Sequence, residues 1–562
     1  MKGAGLLGLA PALTALLLAG PALAGLAGVL LPAFGWAPPL GARAFGFGEF
    51  RALFAEPGIF RAAALALGAG LAATLASLLI VALVLAGWEG TRAFRALERA
   101  LAPLLALPHA AAAFGLAFLI APSGWIARAL SPWATGWERP PDLLIVGDGY
   151  GLSLIVGLIL KEAPFLFLMA LAALPAAAPL RARLLSSTMG HGRVSGFLKA
   201  VWPQIYPQLR LPVFAVLAYS VSSVDVALIL GPSAPPPLSV LILRWAADPD
   251  LALRLRAAAG ASLLLALTLG AFLLWRCGEA LAARLRDRAV WAGGRGRAEG
   301  PLRAFGLSAA LLTAGAAAGG IAVLALWSFA GRWTFPGALP EALSLRTWAR
   351  ALPAAAGPAA ETAALALAAT AIALALVLLC LEAEVRSGRR PRRALILLYL
   401  PLLIPPVAFL PGLATLALFA GIGSGSGAAL LGHLVFVTPY VFLSLAGPWR
   451  AMDPRLAVVA GSLGAGSWRA FLTIRAPMAL APILTAAAVG CAVSVGQYLP
   501  TLLLGAGRTP TLTTEAVALA AGGDRRAIAA FALMQTAAAF LPFAVALALP
   551  RLAWRNRRGM RA

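Results

Sequence analysis

The sequence predicts an all-α polytopic membrane protein with about 12 transmembrane helices, arranged as two parallel six-helix repeats. The first observation is composition, since 61% of the 562 residues are hydrophobic and only 12% are charged. A soluble domain carries about 25% charged residues, so an ordinary soluble enzyme is excluded. The second observation is a high mean hydropathy of +0.89, which also excludes disorder. The third is an internal repeat.

Twelve apolar stretches are long enough to cross a bilayer. They run over about 5–31, 62–87, 101–121, 150–177, 211–230, 257–275, 305–330, 362–381, 394–418, 429–447, 479–500 and 528–549. The first stretch has a second interpretation as a secretory signal peptide, because Lys2 and the run Ala22-Leu23-Ala24 flank its apolar centre. Its length and the match between the two halves favour a membrane span.

The net charge of +24 comes from 45 basic and 21 acidic residues. Basic residues collect in the cytoplasmic loops of membrane proteins. With both termini in the cytoplasm, 30 of the 45 basic residues fall in cytoplasmic segments and 14 fall outside. We therefore expect a multi-pass protein of a bacterial inner membrane in this orientation. A nucleic-acid partner is not expected, since Trp291 is the sole aromatic residue in the basic segment 276–304.

Several kinds of chemistry lack the residues they need. The three cysteines and three histidines are isolated along the chain, so we expect no metal site and no catalytic centre. None of the three lysines follows a glycine, which excludes a G-x-x-x-x-G-K-[ST] phosphate loop. We expect this chain to bind no cofactor and to leave ATP to a separate subunit.

The two halves match at an offset of 274 residues, where Gly190 falls on Gly464 and Pro203 on Pro477. Each match lies between the fourth and fifth spans of its half, so the repeat is parallel, as in many transporters. The predicted organisation is a first half 1–276 with a repeated loop at about 178–205, a basic cytoplasmic linker 277–304, a second half 305–550 with a repeated loop at about 448–478, and a basic cytoplasmic tail 551–562.

The repeated loops are unusually apolar for segments outside the membrane. Residues 455–477 predict two short helices joined at Gly464, because glycine adopts the turn conformation that other residues resist. One interpretation is a helix pair lying on the lipid surface. The other is a docking surface for a protein partner, which repetition in both halves favours.

The loops resemble the motif of permease subunits of ATP-binding-cassette (ABC) importers, which reads EAA, three residues, Gly, nine residues, then I-x-L-P. In the second loop the spacing matches, with Ala460, Gly464, Ile474 and Pro477 at motif positions, Val458 at the position of the glutamate, and Asp453 just before the motif. In the first loop only Gly190 and Pro203 match, and both loops lack the glutamate. Two fused halves resemble the iron- and thiamine-type permeases. The runs 496–501 and 509–515 resemble a fused group described as thiamine permeases.

The resemblance implies a mechanism. Each repeated loop would be a coupling helix, and the two would dock two copies of a separate ABC ATPase. A periplasmic binding protein would deliver the solute, and ATP would drive alternating access. The solute would be thiamine or a related cofactor, or ferric iron.

Lys161, Glu162 and Asp225 are the charges predicted to lie well inside spans, and buried charge in a membrane marks candidate functional sites. They either line the solute path or are structural, with Lys161 paired to Asp225 and Glu162 capping a backbone group. Polar residues at repeat-related positions extend this candidate path: Ser223, Gln497 and Tyr498. Gln497 and Tyr498 would hydrogen-bond either the solute or a facing helix.

The alternative function is a twelve-span secondary transporter driven by an ion gradient. Such carriers usually have a Gly/Asp/Arg-rich loop between spans two and three, and residues 89–95 lack that pattern. A membrane-embedded enzyme would need clustered His, Asp or Glu residues, which the sequence does not offer.

Overall fold

The computed structural model describes residues 4–38, 41–296, 298–388, 394–421, 423–453 and 455–553. These residues are helical almost throughout, because long apolar runs satisfy every backbone group internally only as helices. The two strands among them, β1 (Trp36–Ala37) and β2 (Ala42–Arg43), form a short antiparallel hairpin.

The first half holds thirteen α-helices. They are α1 (Ala4–Ala33), α2 (Gly48–Ala55), α3 (Ile59–Trp88), α4 (Arg92–Leu101), α5 (His109–Ile120), α6 (Trp125–Leu130), α7 (Leu152–Ala173), α8 (Pro179–Thr188), α9 (Arg193–Gly196), α10 (Trp202–Ser222), α11 (Asp225–Leu230), α12 (Leu238–Ala247) and α13 (Leu251–Trp291). Short 3₁₀ turns at Ala102–Ala106 and Leu174–Ala177 and a π turn at Phe197–Val201 join them.

The second half continues the same plan. Its helices are α14 (Gly300–Ser328), α15 (Arg346–Ser387), α16 (Ala394–Leu403), α17 (Pro406–Phe419), α18 (Ser426–Ala451), α19 (Arg455–Ser462), α20 (Ser467–Ala470), α21 (Ala476–Met478), α22 (Leu480–Val495), α23 (Leu499–Gly505), α24 (Leu512–Ala520) and α25 (Arg525–Ala553). A π turn at Phe471–Arg475 joins α20 to α21.

Among the described residues, nine helices are long and apolar enough to span a membrane, and two bent helix pairs bring the number to eleven. The predicted span without a counterpart among these eleven is the fifth, 211–230, which falls on α10 and α11, two helices separated by a break at residues 223–224. Gln208 and Arg210 make α10 too polar to resemble a spanning helix. The predicted span 394–418 is also interrupted, because α16 and α17 meet at a bend of 100°. Two successive prolines, 405 and 406, explain this bend.

The backbone repeats at the same offset as the sequence. The π turns at Phe197–Val201 and Phe471–Arg475 are 274 residues apart. Gly190 and Gly464, at the same separation, both have left-handed conformations with φ of 76° and 80°. The helices that follow each loop also break at related positions, before α11 and before α23.

The two halves interlock by exchanging their first helices. Helix α1 packs against α17 of the second half, and α14 packs against α5 of the first half. Glycines permit both close approaches. A Cβ atom added to Gly115 would lie 2.9 Å from the carbonyl carbon of Gly320, and one added to Gly28 would lie 2.6 Å from the carbonyl oxygen of Gly412.

The segment predicted as a linker, 277–304, is mostly helical. Helix α13 runs for 41 residues to Trp291, and α14 starts at Gly300. Only residues 292–299 connect the two helices, and we name this segment the connector. Helix extends into the predicted linker from both sides because Arg, Glu and Ala favour helix. Helix α25 ends at Ala553, and the rest of the predicted tail 551–562 lies outside the described residues.

Candidate functional site

Lys161 lies on α7 and is only 5% exposed. Its ammonium group donates hydrogen bonds to the backbone carbonyl oxygens of Leu104 and Leu105, at 3.1 and 3.2 Å, and to that of Leu107. These carbonyls belong to the irregular turn before α5, where a helix cannot supply their partners. Lys161 therefore satisfies a break in the backbone, and the pairing of Lys161 with Asp225 is not the arrangement that the structure shows.

Four side chains of the first half form a continuous series, which we name the acid–aromatic row: Glu162, His109, Tyr219 and Asp225. Glu162 Oε1 lies 3.6 Å from His109 Nε2. The rings of His109 and Tyr219 are 4.6 Å apart between centroids. The Tyr219 hydroxyl donates a 3.1 Å hydrogen bond to Asp225 Oδ1. The two carboxylates are 5% and 8% exposed, whereas both rings are half-buried.

Tyrosines of the second half face this row. Tyr440 on α18 lies in the vicinity of Glu162, and Tyr498 lies in the vicinity of Asp225. Both phenol side chains are half-buried. The row therefore lies where the two halves meet, with carboxylates from one half and phenols from both.

The remaining predicted path residues mark the two repeat-related helix breaks. Ser223 is buried at the end of α10, and its carbonyl oxygen accepts a 2.7 Å hydrogen bond from Ser239. Gln497 is half-buried between α22 and α23, and its carbonyl oxygen accepts a 2.8 Å hydrogen bond from Thr501. Tyr498, the next residue, links this break to the acid–aromatic row.

His433 is a buried residue that no sequence motif marks. Its two ring nitrogens lie 2.7 Å from the Ser494 hydroxyl and 2.8 Å from the Thr501 hydroxyl. These hydroxyls flank the break between α22 and α23, so the imidazole holds the two sides of the break together. Among the described residues, no group of three or more His, Cys, Asp and Glu side chains is arranged to hold a metal ion.

The second repeated loop presents an open, apolar tip. Val458 and Leu463 are 71% and 82% exposed, while Ala460 is buried. A Cβ atom added to Gly464 would meet no other atom within 4 Å. Asp453 is exposed at the start of the loop and accepts a 2.9 Å hydrogen bond from the backbone N–H of Arg455. The last two motif residues, Ile474 and Pro477, are half-buried where the loop returns to the helices.

A buried ion pair anchors the base of this loop, and the sequence did not reveal it. Arg475, in the π turn, donates a 2.6 Å hydrogen bond to Glu382 on α15. Glu382 and Arg475 are only 3% and 8% exposed. The guanidinium group also lies 4.8 Å from the ring centroid of Trp449. The available signal was Arg475 itself, a charged residue between Ile474 and the motif proline.

The first repeated loop is anchored differently. Gly190 turns the chain, and Pro203 lies in the first turn of α10. The carboxylate of Glu299, in the connector, accepts hydrogen bonds from the backbone N–H groups of Val194 and Ser195, both at 2.7 Å. The sequence motif gave no indication that a residue between the two halves would hold this loop.

The end of the bundle opposite the repeated loops is closed by arginines. Arg128 is 5% exposed and donates hydrogen bonds to the carbonyl oxygens of Ser123 and Thr334, at 3.0 and 2.9 Å. Its guanidinium carbon lies 4.9 Å from the ring centroid of Trp333. Arg525 of α25 also donates to the Ser123 hydroxyl, at 2.7 Å. These contacts join both halves at this end.

Comparison with known proteins agrees with this architecture. The sequence profile of the binding-protein-dependent transport system inner membrane component matches residues 381–553, which include the second repeated loop. The chain is also 33% identical over 520 residues to the Inner membrane ABC transporter permease protein YnjC of Escherichia coli (strain K12). That match covers 91% of this chain and 92% of the relative, so it extends through both halves.

Proposed function

We propose that this chain is the membrane subunit of an importer that moves a small solute by alternating access. The chain belongs to the inner-membrane permeases of ABC transporters. A separate ATPase supplies the energy, and a periplasmic binding protein supplies the solute. Because the chain belongs to this family, we favour the ABC importer over the alternative function, a secondary transporter driven by an ion gradient. The observation that carries the proposal is the pair of repeated loops with the same backbone at the same offset.

The repeated loops suit a pair of identical partners. Two docking surfaces related by an internal repeat match two copies of one ATPase subunit. The exposed side chains of Val458 and Leu463 give the second loop an apolar tip, which is the kind of surface that a protein partner covers. ATP binding then biases the bundle between two arrangements of the same helices.

The acid–aromatic row supports a cationic solute. Carboxylates attract a cation, and phenol rings stabilise it through their negative faces. Thiamine, or a related cofactor with a positively charged ring, fits this combination of Glu162, Asp225 and three tyrosines. Ferric iron is the other solute that the resemblance implies, and it would use the same carboxylate and phenol oxygens. For either solute, the proposed path runs along the same side chains: Glu162, Ser223, Asp225, Gln497 and Tyr498.

A docking experiment tests the proposal directly. Leu463→Glu places a charge on the exposed tip of the second loop without removing a buried contact, and Gly464→Asp adds a charge at the left-handed turn. We expect both variants to lose co-purification with the ATPase and to lose uptake. Leu285→Glu, at an exposed leucine of α13 outside the loops, is the matched control. Normal co-purification and uptake by both loop variants would contradict the proposal.

The proposed orientation places the repeated loops and both termini in the cytoplasm. Cys277 is an exposed cysteine of α13, two residues beyond the predicted sixth span 257–275, whereas Cys380 and Cys491 are buried. A membrane-impermeant thiol reagent should therefore label Cys277 in inverted membrane vesicles and fail to label it in intact spheroplasts. A Cys277→Ser variant gives the background, and the opposite labelling pattern would reverse the orientation.

A further inference from the structure

The connector between the two halves is bound to the first repeated loop at several points. Both oxygens of the Glu299 carboxylate accept backbone N–H groups of the loop, from Val194 and Ser195 at 2.7 Å. The carbonyl oxygen of Arg295 accepts a hydrogen bond from the backbone N–H of Gly192, also at 2.7 Å. The loop also donates hydrogen bonds: the Lys199 ammonium group donates to the carbonyl oxygen of Gly294 in the connector and, at 3.1 Å, to that of Ala289 in the last turns of α13. These contacts cover one short stretch of the loop, residues 192–199.

The connector and the first repeated loop pack so closely at Gly296 that a side chain there would overlap the loop. A Cβ atom added to Gly296 would lie 2.7 Å from the Cβ atom of Ser195, closer than real Cβ contacts. Gly296 also has a left-handed φ of 64°, which glycine adopts without strain. The connector therefore has a sequence suited to this approach and does not merely pass by the loop.

The carboxylate of Glu299 has a defined task at this position. Helical structure runs without interruption from Arg193 through the π turn and α10 to Ser222, so the first N–H groups of that run have no helical partner. A negatively charged acceptor at a helix start both satisfies these donors and interacts well with the helix dipole. Glu299 thus caps the helix that leads from the first repeated loop into the membrane.

The second repeated loop is anchored at its base by Arg475 and Glu382, and Trp468 packs under Arg386, but among the described residues no side chain caps its helix start as Glu299 caps that of the first loop. Trp468 and Arg469 occupy the positions related to Val194 and Ser195, and no side chain among the described residues accepts their N–H groups. A Cβ atom added to Gly464 or Gly466 would meet nothing within 4 Å, whereas one added to Gly190 would lie 3.6 Å from the Arg295 side chain. The two tips differ in cover although their backbones match.

We propose that residues 289–296 and 298–299 form an internal strap that preorders the first repeated loop, so that the two loops present unequal docking surfaces. The part that concerns docking depends on the proposed function. The first loop is held by its own chain and loses little conformational freedom when a partner binds. The second loop is free at its tip and becomes ordered only in contact with the ATPase, at a cost in entropy. Two identical ATPase subunits therefore meet two different partners.

Hydrogen exchange of the full-length chain in lipid nanodiscs, without ATPase, tests the strap. We expect the backbone amides of residues 192–195 to exchange more slowly than those of residues 466–469. In Glu299→Ala, two charge-assisted hydrogen bonds are lost, so the amides of 192–195 should exchange roughly ten- to a hundredfold faster. The amides of 466–469 should keep their wild-type rate, and the amides in the middle of α15 should stay protected, which shows that the variant is folded.

Two further variants sharpen this measurement. Glu299→Gln keeps a neutral acceptor and should give an intermediate exchange rate. Glu98→Gln changes an exposed carboxylate on α4 and should leave both loops unchanged. Equal exchange of 192–195 and 466–469 in the wild-type chain, or no acceleration in Glu299→Ala, would overturn the strap whatever the partner is.

The complex with its co-purifying ATPase tests the unequal docking separately. Bound ATPase should slow exchange of residues 466–469 more than that of residues 192–195. Equal slowing at both loops would overturn the unequal docking. Slowing at neither loop would overturn the proposed function, while slow exchange of 192–195 in the isolated chain would still establish the strap.

Discussion

The ion pair at the base of the second repeated loop gives a quantitative prediction. Glu382 on α15 accepts hydrogen bonds from Arg475, at 2.6 Å, and from Arg386, at 2.9 Å. The perturbation is Glu382→Ala, which leaves the buried guanidinium group of Arg475 without its carboxylate partner. Trp449 remains beside that guanidinium group, whose carbon lies 4.8 Å from the ring centroid, but an aromatic face cannot replace the charged oxygen acceptor.

The magnitude follows from burial. Both partners are less than a tenth exposed, and removing one member of such a buried pair costs about 3–5 kcal/mol of unfolding free energy. Replacing both members by apolar residues, as in Glu382→Leu with Arg475→Met, removes the unpaired charge and should recover most of that loss. The exposed pair of Arg332 and Glu341, 3.7 Å apart, is the control, and Glu341→Ala should cost less than about 1 kcal/mol.

Unfolding in mixed detergent micelles, followed by proteolysis of the unfolded fraction, measures these differences on the full chain. We expect Glu382→Ala to be far less stable than Glu341→Ala, and the double variant to lie close to the wild type. A single variant as stable as the control would refute the reasoning. So would a double variant no more stable than Glu382→Ala, since an unpaired charge would then not be the cause.

Three other predictions concern separate parts of the molecule. Burial alone would raise the pKa of Asp148, but hydrogen bonds from Ser153 and from neighbouring backbone amides outweigh burial and hold this pKa below its usual value. The ionised carboxylate therefore stabilises the folded chain fully above about pH 4, and this stabilisation disappears as the pH falls through the lowered pKa. Asp148→Ala should cost about 1 kcal/mol at pH 7 in the same micelle assay and nothing once Asp148 is protonated, and equal losses at both pH values would contradict this. Gly412→Leu should separate α1 from α17 and lower the yield of folded protein by size-exclusion chromatography, whereas Gly427→Leu, at a glycine with open space around it, should not. Glu162→Gln should reduce uptake of radiolabelled thiamine at normal membrane levels, and unchanged uptake would remove Glu162 from the proposed path.

Periodicity and repetition made much of the fold predictable. Long apolar runs specify helices in a bilayer, and a shared offset specifies two halves, so the all-α class and the repeated loops followed from the sequence. The left-handed turns at Gly190 and Gly464 were also predictable, because few residues other than glycine adopt them. The bend at residues 403–406 was missed, although two adjacent prolines marked it.

The exchange of first helices could not be predicted in the same way. Hydropathy shows that a helix is apolar, but it does not show which apolar helix it packs against. The close glycine contacts of Gly115 with Gly320 and of Gly28 with Gly412 join residues far apart in the chain. Only an arrangement in space distinguishes these glycines from the many others that face lipid or open space.

The candidate site was predicted in part for a related reason. Lys161, Glu162 and Asp225 were selected because charge is costly in a membrane, and all three are buried. Their partners were not selected. Lys161 bonds backbone carbonyls, which no sequence pattern identifies, and the ring of His109 lies on a different helix from Glu162. The ion pair of Glu382 with Arg475 was not predicted, because the predicted span 362–381 ends one residue before Glu382.

Both carboxylates of the proposed path, Glu162 and Asp225, belong to the first half, and electrostatics explains why a fused chain can have this asymmetry. In a permease made of two identical halves, every carboxylate near the twofold axis would face its own copy, and two like charges in a low-dielectric interior repel strongly. Here Phe436 and Val437, both buried, occupy the repeat positions of Lys161 and Glu162. Glu162 therefore has the apolar residue Val437, and not a second carboxylate, at the related position of the other half. Fusion of the halves thus permits a single acidic row at the interface, which identical subunits could keep only by protonating one of each pair.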